Sequence, residues 1–131
     1  VPEPHALDAL DAPAVVLDDA VVRNLTGHAD DHAVGMSFAT RFRELLPHRL
    51  WRIAQALEAG DHDRALDAVL SLKVSAASLG ARQISGLAAG VERCLRLGDL
   101  DAGTRAAREL GDAAGRLDAA LRRMLAESCA C

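Results

Sequence analysis

Apolar side chains along this chain recur every three or four residues, and glycine or glycine-aspartate steps break the recurrence. Met36, Phe38, Phe42, Leu46, Leu50, Ile53 and Leu57 keep one helical face up to Gly60. Asp30 and Asp31 are candidate N-caps for this helix. Pro47 interrupts its pattern, where a ring without an N–H is expected to bend or restart the helix. Asp61 caps the next helix, expected from about His62 to Leu79 with Leu66, Val69, Leu72, Ala76 and Leu79 inward and Gly80 as C-cap. Another helix follows from about Arg82 to Leu97, with Ile84, Leu87, Val91, Cys94 and Leu95 inward. Gly98-Asp99 ends it. The last helix spans about Asp101 to Ala126, with Ala106, Leu110, Ala114, Leu117, Leu121 and Leu125 inward. Gly111 and Gly115 lie inside it; each weakens it by about 1 kcal/mol relative to Ala, or else allows close helix packing. Ahead of these, Leu17-Asp18 opens a short helix with Asp18 as N-cap, Val21, Val22 and Leu25 apolar, and Gly27 at its end. Nothing reads as a strand. The pattern predicts an all-α fold: an antiparallel four-helix bundle with an extra short N-terminal helix as a lid.

At 131 residues the chain fits one domain with a real core. Residues 1–16, with Pro2, Pro4 and Pro13, read as an N-terminal tail or linker, 17–127 as the bundle and 128–131 as a C-terminal tail. Half of the residues are apolar but only 2% are aromatic, so Leu, Ala and Val must build the core. The net charge of -4 argues against nucleic-acid binding, and Lys73, the only lysine, excludes a Lys-rich phosphate stripe. No apolar run has the length of a membrane span. The start lacks a basic segment followed by an apolar block, so no signal peptide is read. Three cysteines, an odd number, argue against a disulfide framework, and a reducing cytoplasm is the expected compartment. The chain opens on Val1 rather than Met, as a fragment of a larger protein would.

The stretch Val69-Leu70-Ser71-Leu72-Lys73-Val74-Ser75-Ala76-Ala77-Ser78-Leu79-Gly80-Ala81 resembles the signature of histidine-containing phosphotransfer (HPt) domains. That signature reads roughly Ala-His-x-Leu-Lys-Gly-Ser-(Ala/Ser)-x-x-Leu-Gly-Ala. The likeness extends from about Val16 to Leu125. It takes in Leu17-Asp18 with Leu25, then Phe42, Pro47, Leu50, Ile53, Ala56, Leu57, Gly60 and Asp61 in the family's order, and Val91-Glu92 afterwards. The resemblance implies a helical bundle that shuttles phosphoryl groups between receiver-domain aspartates. The family's histidine attacks through a ring nitrogen, a lysine offsets the phosphoryl charge, and a glycine leaves a flat spot for the receiver, which supplies Mg²⁺. Here the histidine position holds Leu70 and the glycine position Val74, whereas Lys73 keeps the cation. Residues 70, 73, 74 and 77 share one helix face. The face therefore reads Leu70, Lys73, Val74 and Ala77, without a nucleophile. No enzyme activity and no cofactor are expected.

Two readings of that face stand side by side. One is a broader core, covered by the first helix or the tail. The other is an exposed patch for a partner, which the family's open face favours. His62 and His48 are the other histidines near this region, and neither has the Lys-Gly neighbourhood; both read as solvated. His28-Ala29-Asp30-Asp31-His32 has a spacing seen in metal ligands, but helix capping by the aspartates accounts for it, so no metal is expected. Cys129-Ala130-Cys131 is not a CxxC pair, Cys94 reads as a small core residue, and Trp51 as partly buried. The expected function is a pseudo-HPt module of two-component signalling. It would bind a response-regulator receiver domain or a histidine kinase through Leu70, Lys73, Val74 and Ala77 without transferring phosphate. The alternatives are an active phosphotransfer protein using His62 or His48, and a structural helical module that oligomerises. Monomer is the favoured state; no nucleic acid or membrane is expected as partner.

Overall fold

A computed structural model describes residues 15–23 and 32–129. They form α1 (Asp19–Arg23), α2 (His32–Glu58), α3 (His62–Leu79), α4 (Arg82–Arg96) and α5 (Leu100–Cys129), with no strand among the described residues. Helix α3 packs between α2 and α4, and α5 packs against α4 and α2, which closes a four-helix bundle. Connections of two or three residues force neighbouring helices to run antiparallel. The apolar stripes meet in one core, which includes Phe42 and Ile53 from α2, Val69 and Leu72 from α3, Val91 and Leu95 from α4, and Leu117 and Leu121 from α5.

Local chemistry sets the helix ends. Asp61 accepts from the Arg64 amide at the start of α3, and Asp99 accepts from the Ala102 amide at the start of α5. Both satisfy a donor the helix leaves open. Gly80 ends α3 with φ 84°, a left-handed conformation that Gly adopts without a Cβ penalty. Asp18 caps α1 by accepting from the Ala20 amide at 3.1 Å.

The described part of the N-terminal region is anchored at this same end of the bundle. The Asp18 amide donates to the Gly80 carbonyl at 2.9 Å, and the Gln83 amide donates to the Val15 carbonyl at 3.0 Å. Arg82 pairs with Asp18 at 3.0 Å. Helix α1 also lies against Gly35 of α2, where any Cβ would collide with the Val22 carbonyl oxygen.

Several expectations need correction. Helix α2 runs through Pro47 without a break. Phe42 and Leu46 before the proline and Ile53 and Leu57 after it pack into one core, which holds the helix across a residue that costs about 3 kcal/mol. Gly111 and Gly115 face open space and serve no close packing; Gly35 and Gly80 do that work. Trp51 is exposed, at 57%, and stacks on His48. Cys94 is half-buried and not fully in the core. Helix α5 begins at Leu100 and continues to Cys129, past Ala126. Leu25, Gly27, the Asp30 and Asp31 caps and most of the His28–His32 spacing lie outside the described residues.

Candidate functional site

The stripe at Ala65, Val69, Leu72, Ala76 and Leu79 turns one side of α3 to the core. Helical periodicity then turns Leu70, Val74 and Ala77 outward, with Lys73 on the flank that borders α4. Val74 is 62% exposed and Ala77 is exposed. Leu70 is half-buried and is not among the side chains packed on the core. The structure therefore brings all four residues of the sequence-derived site onto one face.

Helix α1 does not cover that face. Its contacts with α3 gather at Gly80. Ten residues of helix, about 15 Å, separate Gly80 from Leu70. Residues 15–18 are held at the same end through Val15 and Asp18.

Two flanking groups were not foreseen from the sequence. On the α4 side, Lys73 Nζ donates to Glu92 Oε1 at 2.6 Å. Arg96 Nε donates to the other oxygen of the same carboxylate at 2.8 Å. The hydrogen bond from Lys73, then that from Arg96, holds the Glu92 carboxyl below its ordinary pKa. Its side chain is only 15% exposed, so solvent screens the pair less than it would a free surface pair. On the α2 side, Arg49 donates to Ser75 Oγ at 2.6 Å and lies over the Phe42 ring, 5.9 Å from its centroid. It is thus drawn into the seam between α2 and α3. The family likeness at Val91-Glu92 marked Glu92, but its partner on α3 lies 19 residues away in sequence and emerges only when α3 and α4 pack.

The two histidines weighed as alternatives, His48 and His62, sit elsewhere. His48 is exposed on α2 with the Trp51 ring stacked on it, 5.8 Å between centroids. His62 opens α3 and, contrary to its solvated reading, is half-buried with its Nε2 buried and without a hydrogen-bond partner. No described helix is long and apolar enough to cross a membrane.

The arrangement is that of an up-and-down helical bundle presenting a small, largely apolar face on one helix. A family model for the Hpt domain matches residues 37–128, and the chain belongs to the Hpt domain family. The match takes in most of α2, all of α3 and α4 and nearly all of α5, and it includes the four face residues. The family places the chain among phosphorelay signalling modules, which carry phosphoryl groups and interact with response regulators and histidine kinases. No curated protein and no solved structure matches the chain.

Proposed function

We propose that this chain is a pseudo-HPt domain, a cytoplasmic and monomeric module that binds a receiver domain, or a kinase carrying one, without accepting its phosphoryl group. The observation that carries the proposal is Leu70 on the outward face of α3, beside Lys73, Val74 and Ala77. A leucine side chain has no lone pair with which to attack phosphorus. The face still offers apolar surface to a partner, and burying Leu70 and Val74 would contribute roughly 1.5–3 kcal/mol each before the costs of association.

The geometry gives little support to a substitute nucleophile. His62 lies eight positions before Leu70, about 12 Å along the helix and rotated by about 80°. Its Nε2 is shielded. His48 projects from a different helix, with Trp51 against its ring.

A labelled phosphoryl donor, passed through the receiver domains of the host, tests the proposal. The wild-type chain is expected to stay unlabelled. Leu70→His combined with Val74→Gly is expected to take up label, because Lys73 and the bundle remain. Label on the wild type would return the assignment to His62 or His48. A double variant that folds but takes up none would contradict docking at this face.

A further inference from the structure

We infer that the α3 face selects a receiver whose aspartate is unphosphorylated and loses affinity when that aspartate carries a phosphoryl group. This rests on the pseudo-HPt reading and assigns its regulation. The face has three outward side chains without charge, Leu70, Val74 and Ala77. The cation beside them is already engaged: Lys73 Nζ is 2.6 Å from Glu92 Oε1. Glu92 also holds Arg96, at 2.8 Å, so one carboxylate stands between the two cations of this flank. On the opposite flank, Arg49 is turned into the α2–α3 seam by Ser75 and the Phe42 ring.

A receiver with a bare aspartate brings apolar loops to matching apolar surface and a single negative charge, and phosphorylation adds a second. A partner bringing a phosphoryl dianion must desolvate it against Leu70 and Val74. Burying charge without a counter-charge is costly. Lys73 keeps further N–H donors, but its charge is already paired with Glu92, and the Glu92 carboxylate itself repels the incoming group. The receiver's own Mg²⁺ reduces this cost equally for any docking protein, so the difference made by this face remains.

The direct experiment titrates the full chain with each purified receiver domain of its host, with Mg²⁺, in the presence and absence of beryllofluoride as the phosphoryl mimic. Binding is expected to be about tenfold weaker with beryllofluoride. Glu92→Gln, which frees Lys73 and Arg96, is expected to narrow the difference. Lys73→Gln, which removes a cation already paired with Glu92, is expected to leave it at least as wide. Equal or tighter binding with beryllofluoride would overturn the selectivity and leave the pseudo-HPt reading intact. A difference unchanged by Glu92→Gln, or narrowed by Lys73→Gln, would overturn the assignment of selectivity to this ion pair. Binding to no receiver in either state would overturn the pseudo-HPt reading itself.

Discussion

Glu92 is the residue whose protonation the structure couples most clearly to folding. Its carboxylate is held below the ordinary value of 4.5, first by Lys73 and then by Arg96. A carboxyl depressed in the folded state stabilises fully above its unfolded pKa, and that contribution fades as pH falls through the folded value. Glu92→Gln is therefore expected to lower stability near neutral pH, and the gap from wild type should close in acid, below about pH 4.5. Urea unfolding of both proteins across that range checks this; a gap independent of pH would contradict it. At this scale the sequence was only partly legible. Leu70, Lys73 and Val74 were found because they stand within one continuous signature. The Lys73–Glu92 and Arg49–Ser75 contacts join residues on different helices, so spacing along one helix carried no sign of them.

At the scale of the helix, small residues behave in opposite ways. Gly111 has open space where a Cβ would go, so Gly111→Ala is expected to stabilise α5 by up to about 1 kcal/mol. Gly35→Ala should do the reverse, because its Cβ would meet the Val22 carbonyl oxygen and push α1 away. Thermal melts of the two variants should therefore move in opposite directions. Pro47→Ala restores an amide inside a continuous helix and is expected to raise stability by about 1–3 kcal/mol, read by urea unfolding. A lower stability would show that the proline is accommodated in a way the helix depends on. The limits of α3 were legible because both its caps, Asp61 and Gly80, are local. The passage of α2 through Pro47 was not, because burial on both sides of the proline is a tertiary effect.

For the molecule as a whole, the bundle follows from four apolar stripes and short glycine-containing connections, all visible in the sequence. Where the first helix sits was not visible. Its place beside Gly35 and Gly80 leaves the Leu70 face clear of α1 and of residues 15–18. Trp51 likewise became an exposed ring instead of a partly buried one, since helical periodicity alone left its side undecided between core and surface. The family then supplies the setting, a phosphorelay, and the face supplies the departure from it.

The most direct measurement is an NMR titration of the isotope-labelled full chain with the receiver domains of its host. Shifts centred on Leu70, Lys73, Val74 and Ala77, with no phosphoryl transfer, are the expected result. Shifts confined to another surface, such as that around Trp51, or no shifts with any receiver, would contradict docking through the α3 face.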